Sequence, residues 1–327
     1  MLRKPKTITA SRTAPKSLKP QKARQLIRRF HNLQKWRAIV FKRLVSQYPD
    51  LDEKSYKKSL GQAYSDEYQE FKLPKCTDTT PDAVITDSSA SVAKLVGALA
   101  KMDAEIDLRG GLHVYQMAST VGQDHQRGGD SSKWLVKWFE QQKRTAASAL
   151  EIGCLSATNA ISTCGRFGHV TRIDLNSQGP SILQQDFMQR PSPASDADRF
   201  DVISCSLVLN FVPTPAQRGA MLKRMTDFLR EPEPVQTGSE HKNKSALFLV
   251  LPLPCLSNSR YFNRDMLREI MASLGFREIQ SHEAKKVIYL LYDWEGKQAM
   301  TNVVARKKRE IHSGGTRNNF YVDMNGL

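Results

Sequence analysis

From about residue 146 onward, short runs of apolar residues alternate with segments in which apolar residues recur every three or four positions. Runs of the first kind are typical of buried strands, and spacing of the second kind is typical of amphipathic helices. Helices are predicted at residues 159–165, 215–230 and 264–274. Seven strands are predicted, at residues 148–152, 169–175, 182–186, 200–207, 246–252, 277–281 and 286–292.

This alternation predicts an α/β fold, in which a mostly parallel sheet carries helices on both faces. The last two predicted strands, 277–281 and 286–292, follow each other with no helix between them. A parallel connection needs a crossover of about a dozen or more residues, so these two strands are expected to pair antiparallel. The pattern therefore predicts a seven-stranded, mostly parallel sheet with one antiparallel edge strand.

The chain before residue 146 has a helical pattern instead. Residues 21–47 place apolar side chains on one face of a helix and Lys or Arg on the other, and we expect the apolar face to pack on the body of the protein. Further helices are predicted at 52–69, 90–101 and 131–143, the last capped by Ser131 or Ser132. The predicted organisation is a disordered basic tail (1–20), a helical extension (21–145), an α/β domain (146–300) and a C-terminal tail (301–327).

A glycine-rich segment at residues 108–130 interrupts the helical extension. It contains Gly110, Gly111, Gly122, Gly128 and Gly129 and many polar side chains, so it is predicted to be a loop. It is either an ordinary surface loop or a lid over a ligand pocket, since long loops often carry function.

Charge is distributed unevenly along the chain. The net charge is +16, and residues 1–49 contain 14 Lys or Arg and no Asp or Glu. The remainder has 35 basic and 33 acidic residues. A long block of one sign is typical of a segment that binds a polyanion, so RNA contact or nuclear targeting is expected, with a merely solubilising tail as the alternative.

The composition excludes several classes of protein. The five cysteines form no C-x-x-C pair, so neither a disulfide framework nor a metal site is predicted. The N-terminus lacks the apolar stretch of a signal peptide, and the longest apolar run, at 246–256, is shorter than the roughly 20 residues that span a bilayer. We expect a soluble intracellular protein with no membrane contact and no metal.

Candidate chemistry lies at the ends of the predicted strands, where open α/β sheets bind their ligands. The first strand ends in Glu151, Ile152 and Gly153. Gly153 has no Cβ, so its backbone can approach a ligand closely, and Glu151 can accept from an ammonium group. An isolated glycine after a strand is common, so this turn alone is weak evidence.

The next two strands supply acidic residues in the expected order. Asp174 ends the second strand 21 positions after Gly153, close to the roughly 20-residue spacing at which an acid binds ribose hydroxyls. Asp186 ends the third strand and is predicted to accept from an adenine amine, with Phe187 or Met188 as an apolar wall. Alternatively, Asp174 is a helix cap and Asp186 is solvated, but the ordered series favours a nucleoside site.

The fourth strand continues into Leu207 to Val212, which is expected beside the reacting group. Asn210 is predicted to hydrogen-bond the acceptor and Phe211 to stack on it, with Tyr115 or Tyr261 behind. Asn210 is equally well explained as a turn residue before the next helix. A full G-x-G-x-x-G is absent, because Leu155 and Thr158 occupy glycine positions, which argues against a nicotinamide cofactor.

These strand ends resemble a class I S-adenosylmethionine (SAM)-dependent methyltransferase with a Rossmann-like fold. Further blocks are similar to the fungal family of 25S rRNA adenine-N1 methyltransferases, over residues 100–325. The blocks are residues 110–119, 127–132, 150–153, 172–176, 185–188, 204–213 and 261–262. The missing second and third glycines of the class motif leave the shape of the methionine pocket open.

The resemblance implies SAM as cofactor, bound through Gly153 and Asp174, and transfer of a methyl group to N1 of one adenine in large-subunit rRNA. It also implies a nucleolar location, and we expect association with a pre-ribosomal particle and a monomeric chain. The alternatives are a non-catalytic SAM sensor that acts through a protein partner and a small-molecule methyltransferase. The basic block argues against both, because neither has an evident need of it.

Overall fold

The computed structural model describes residues 20–74, 83–111, 129–177, 179–232, 244–301 and 307–326. The chain divides into two compact units, Met1–Arg127 and Gly128–Leu327. The first unit is helical in its described residues, and the second is built around a single sheet.

The described helices of the first unit are α1 (Pro20–Gln47), α2 (Tyr56–Ser59), α3 (Gly61–Glu70), α4 (Ala83–Thr86) and α5 (Val92–Leu108). Helices α1, α3 and α4 pack against α5, which lies at the centre of the unit. The apolar face of α1 is buried through Leu33, Trp36, Val40 and Leu44, as its periodicity predicts. The single helix predicted over 52–69 is wrong. Two helices replace it, because Gly61 has a φ of +63°, a left-handed conformation that interrupts a right-handed helix.

The basic residues of α1 fall into two groups. Arg29 pairs with Glu105 of α5 at 2.6 Å, and Arg37 pairs with Asp103 of α5 at 2.8 Å. Arg43 donates to the carbonyl oxygen of Val84 at 2.9 Å. A second row of cations at seven-residue spacing is exposed to solvent, namely Arg28, Lys35 and Lys42. The first group therefore stabilises the unit through contacts with α4 and α5. The exposed row presents positive charge to solvent.

The second unit has a seven-stranded sheet in the order β3-β2-β1-β4-β5-β7-β6. All neighbouring pairs are parallel except the two pairs of β7, which lies between β5 and the edge strand β6. This confirms the predicted fold class. The strands are β1 (Ala146–Ile152), β2 (Phe167–Asp174), β3 (Leu183–Gln184), β4 (Val202–Ser206), β5 (Ala246–Pro252), β6 (Phe276–Glu283) and β7 (Val287–Trp294).

Helices cover both faces of this sheet. They are α6 (Ser132–Gln141), α7 (Ala160–Thr163), α8 (Pro215–Phe228), α9 (Pro254–Ser257) and α10 (Arg264–Ser273). Because both faces are covered, successive side chains of strand β5 pack into the cores on opposite faces of the sheet. Leu247 and Leu249 belong to the core beneath α8 and α10, whereas Phe248 and Val250 belong to the core beneath α6.

Two boundaries of the predicted organisation need correction. Helix α6, predicted to belong to the helical extension, lies in the second unit because Leu135, Trp138 and Phe139 are buried in the core of that unit. The predicted C-terminal tail also contributes to the core, through Phe320, Tyr321, Val322 and Met324. No helix in the described ranges is long and apolar enough to cross a membrane.

Candidate functional site

Strand order reverses next to β1, which has β2 on one side and β4 on the other. The register pairs Ile152 at the end of β1 with Ile173 of β2 and with Cys205 of β4. The carboxyl ends of these three strands therefore lie at one level, at the switch point where open α/β sheets bind ligands.

Gly153 forms the turn after β1 with a φ of +75°. Its N–H donates to the carbonyl oxygen of Ile173 at 2.9 Å, which fixes the turn against β2. A Cβ at this position would lie 2.3 Å from Cγ2 of Val208, in the segment after β4. Glycine is therefore required both by the backbone conformation and by the close approach of two strand ends.

Glu151, two residues before Gly153, is 6% exposed. Its Oε1 accepts a hydrogen bond from Nδ2 of Asn159 at 2.7 Å. Its Oε2 is buried and has no hydrogen-bond partner among the described residues. Burial raises the pKa of Glu151 above its ordinary value, because desolvation penalises the charged carboxylate. A buried acceptor with no donor is costly to leave unsatisfied, so a cationic ligand group fits this position.

The predicted acidic residues lie at the ends of β2 and β3. Asp174, 9% exposed, ends β2 and accepts from the N–H of Asn176 at 2.8 Å. Asp186 follows β3, and its Oδ1 accepts from the N–H of Met188 at 2.8 Å. Asp186 thus caps the short 3-10 turn Phe187–Gln189 with one oxygen, while its carboxylate keeps further acceptor capacity.

Phe187, predicted as an apolar wall for the adenine, is turned into the core. Its side chain is 3% exposed and packs in the core against Phe228, with ring centroids 5.2 Å apart. Only Met188, the alternative for this wall, keeps partial exposure. The sequence Asp186-Phe187-Met188 after β3 does not show which of its two apolar side chains is buried in the core.

The segment after β4 folds back sharply. Leu207 has a φ of +56°, an uncommon conformation for a residue with a Cβ, and such strain is typically found near functional sites. Asn210 and Phe211 follow in the 3-10 turn Leu209–Phe211. Oδ1 of Asn210 is buried and has no hydrogen-bond partner in the part of the chain that is described. A second unsatisfied acceptor therefore lies just past a strand end.

Asp130 is a residue that sequence reasoning missed. Its Oδ1 accepts from the N–H and Oγ of Ser132, at 2.8 and 2.7 Å, and its Oδ2 accepts from the N–H of Ala160 at 2.5 Å. The carboxylate thereby joins the start of α6 to the start of α7. Neither serine is the side-chain cap predicted for α6, although the Asp two residues before Ser132 is a typical Asx-turn signal.

The neighbouring Ser131 contacts the end of β4, since its Oγ lies 2.7 Å from Oγ of Ser206. Residues 129–132 thus connect α6, α7 and β4 around the candidate site. The predicted lid falls mostly on residues 112–128, and these, including Tyr115, lie outside the described residues. The described residues hold no cluster of three His, Cys, Asp or Glu side chains that fits a metal ion.

Known proteins match this chain over most of its length. The sequence profile of a family described as "25S rRNA (adenine(2142)-N(1))-methyltransferase, Bmt2" matches residues 100–322. A 25S rRNA (adenine(2142)-N(1))-methyltransferase from Saccharomyces cerevisiae is 34% identical, over 98% of this chain and 99% of the relative. A 25S rRNA adenine-N(1) methyltransferase from Schizosaccharomyces pombe is 41% identical, over 65% of this chain and 76% of the relative.

Solved structures give weaker similarity. A SAM-dependent methyltransferase from Clostridium acetobutylicum aligns with 56% of this chain and 99% of its own length, at 11% identity and a TM-score of 0.42. That value is too low to bear on function.

Proposed function

Because the chain belongs to the family of 25S rRNA adenine-N1 methyltransferases, we propose that it transfers a methyl group from SAM to N1 of an adenine in large-subunit rRNA. The observation that carries the proposal is the buried Oε2 of Glu151, which has no hydrogen-bond partner among the residues that the structure describes, beside the left-handed turn at Gly153. An unsatisfied carboxylate oxygen at a switch point fits a small cationic ligand.

The residues at the three strand ends fit SAM in its different parts. Glu151 accepts from the α-ammonium group, which satisfies the buried Oε2. Asp174 accepts from the ribose hydroxyls, as acids at the end of the second strand do in nucleotide-binding sheets. Asp186 uses its remaining acceptor capacity for the adenine amine. When bound, SAM supplies a methyl group on a positively charged sulfonium, which is already activated for displacement.

The segment after β4 holds the acceptor base. N1 of adenine faces the partner strand in a duplex, so the target adenine has to be unpaired or flipped out of its stack. Phe211 provides a ring on which that base stacks, and Oδ1 of Asn210 accepts from its exocyclic amine. These contacts aim the N1 lone pair at the methyl group, and proximity and orientation of this kind supply most of the catalysis.

Asn210 also suits the charge that develops during transfer. As the bond between N1 and the methyl carbon forms, the carbon–sulfur bond would break and S-adenosylhomocysteine would leave as a neutral thioether. The positive charge then lies on the adenine, and its exocyclic amine becomes a stronger donor. Oδ1 of Asn210, which no described group pairs with, is a fixed acceptor for that amine, and preorganised dipoles aimed at developing charge stabilise transition states.

The basic N-terminal region binds the RNA. The exposed row Arg28, Lys35 and Lys42 on α1 adds to the cations of residues 1–20, and such charges bind phosphates without reading sequence. With an rRNA substrate, the protein acts as a monomer in the nucleolus on a pre-ribosomal particle.

The test combines the purified full chain, SAM and 25S rRNA from cells that lack the protein. N1-methyladenine blocks Watson–Crick pairing, so reverse transcription should stop at one new adenine. SAM binding with no methyl transfer to this RNA would instead favour the non-catalytic sensor. Transfer to another atom or to small molecules would contradict the proposed acceptor.

A further inference from the structure

The last described stretch of the chain, residues 307–326, is fixed to two loops at the carboxyl end of the sheet. The N–H of Asp323 donates to the carbonyl oxygen of Pro215, just after β4 and its turn, at 3.0 Å. The N–H of Asn318 donates to the carbonyl oxygen of Asn258, after β5, at 3.0 Å. Ser259 strengthens the second attachment by donating from Oγ to the carbonyl oxygen of Phe320 at 2.6 Å. The segment therefore forms part of the acceptor side of the proposed site.

A buried arginine makes the connection to the β4 turn. Arg218 of α8 is 9% exposed and donates to the carbonyl oxygens of Val212 and Tyr321, both at 2.9 Å. No carboxylate within the described ranges forms an ion pair with it. Burial lowers the pKa of Arg218 to about 10, so it is still protonated at neutral pH. Arg218 is thus a positioning residue that holds the C-terminal segment against the turn that carries Asn210 and Phe211.

Tyr261 and Lys308 meet where this segment crosses the loop after β5. Nζ of Lys308 lies 4.1 Å from the centroid of the Tyr261 ring, a close cation–π contact. The backbone at Tyr261 is fixed because its N–H donates to Oγ of Ser259 at 3.2 Å. No ion pair of Lys308 with a described carboxylate is present. Burial, followed by the nearby charge of Arg218, lowers the pKa of Lys308, while the charge of Asp323 acts in the opposite direction.

We propose that Tyr261 and Lys308 bind one nucleotide of the RNA strand next to the methylated adenine. The Tyr261 ring stacks on a base, and Lys308 leaves the ring to contact a phosphate. Single-stranded RNA is bound by this combination of aromatic platforms and cations, and a strand with a flipped-out adenine needs such support. The inference rests on the proposed function, because it assigns the rRNA substrate of that same site.

The test compares single variants of the full chain for methyl transfer to unmethylated 25S rRNA transcribed in vitro. Lys308→Ala should raise the KM for RNA about 10-fold and reduce the slope of log affinity against log salt by about 0.7–0.9. Tyr261→Ala should raise the KM by a similar factor, whereas Tyr261→Phe, which keeps the ring, should stay within about 2-fold of wild type. SAM affinity should be unchanged in all three.

Lys307→Ala is the matched control, since it removes an exposed neighbouring cation for which no contact with a described ring is present. It should leave the KM for RNA near that of wild type. Equal effects of Lys307→Ala and Lys308→Ala, or an equal loss in Tyr261→Phe and Tyr261→Ala, would overturn the inference while the wild-type activity upholds the proposed function. A wild-type chain that binds SAM but does not methylate the RNA would overturn both.

Discussion

Gly153 is constrained in two ways, by its φ of +75° and by Val208 on the neighbouring strand end. A methyl group at this position has to displace Val208 or widen the turn that approaches the cofactor. We therefore expect Gly153→Ala to weaken SAM binding by roughly 10-fold or more, since a 1.4 kcal/mol loss already corresponds to tenfold. Calorimetric titration with SAM measures this directly.

Gly165 offers the control for backbone strain. It has a similar φ of +73°, but an added Cβ would meet no atom of the described residues within 4 Å. Gly165→Ala should cost about 1–2 kcal/mol of stability from the left-handed conformation and leave SAM affinity unchanged. Equal losses of SAM affinity in the two variants would show that strain, rather than the strand-end contact, is responsible.

The proposed contact between Glu151 and the ammonium group of SAM makes SAM affinity depend on pH. Its pKa is raised in the folded protein, so the stability gained from the neutral carboxyl is fully present below the unfolded value near 4.5 and is lost as pH rises through the raised value. The carboxylate is the form that binds an ammonium group. SAM affinity should therefore increase as pH rises through this same window, while the stability of the ligand-free protein decreases.

Glu151→Gln should remove both trends. The amide keeps an acceptor for Asn159 but has no charge, so we expect lower and pH-independent SAM affinity above pH 4.5 together with unchanged or higher stability of the free protein. Titrations and thermal unfolding across this pH window test the pair of effects. Wild-type SAM affinity in Glu151→Gln would exclude the proposed ammonium contact.

At the scale of elements, the carboxylate of Asp130 joins the starts of α6 and α7. Asp130 accepts from Ser132 at the start of α6 and from Ala160 at the start of α7, which follows the Gly153 turn. Asp130→Asn removes one of these acceptors, so stability should fall by about 1–2 kcal/mol. SAM affinity should fall as well, because α7 is less firmly placed.

The control for this substitution is Asp87→Asn in the first unit. Asp87 accepts from the N–H and Oγ of Ser89 in an exposed turn, at 2.8 and 2.6 Å. Asp87→Asn should leave stability nearly unchanged and SAM affinity as in wild type, because it alters an exposed turn. A normal SAM affinity in Asp130→Asn would mean that the helix starts do not shape the cofactor site.

Elements with a strong apolar pattern could be predicted closely from the sequence. Strand β5 begins and ends where predicted, because its apolar run is buried on both faces. Strand β3 is shorter than predicted, Leu183–Gln184, since it is exposed at the sheet edge and lacks the burial that marks a strand. The burial of the apolar side chains of residues 320–324 in the core was not foreseeable, because these residues belong to no helix or strand and their contacts are long-range.

The site was predictable to a similar degree. Glu151, Gly153 and Asp174 occupy the expected strand ends, since parallel strands bring their carboxyl ends together whatever the loops do. The inward turn of Phe187 and the bridging role of Asp130 depend on side-chain packing between distant segments. Local sequence patterns carry little information about such contacts.

At the scale of the whole molecule, positive charge is concentrated at the N-terminus. Replacing the exposed row Arg28, Lys35 and Lys42 with Gln should reduce the slope of log RNA affinity against log salt by roughly 2 to 3, at about 0.7–0.9 per phosphate contact. Stability and SAM affinity should not change. Arg37→Gln is the contrasting variant and should destabilise the first unit, because Arg37 pairs with buried Asp103. An unchanged salt slope in the triple variant would contradict a role of α1 in RNA binding.

The measurement that tests the central claim most directly is a map of N1-methyladenine in 25S rRNA from cells that lack this protein. One methylated adenine should disappear, return with the wild-type chain, and return to a smaller extent with the Gly153→Ala chain at equal protein level. An unchanged set of N1-methyladenines in the cells that lack the protein would contradict the account.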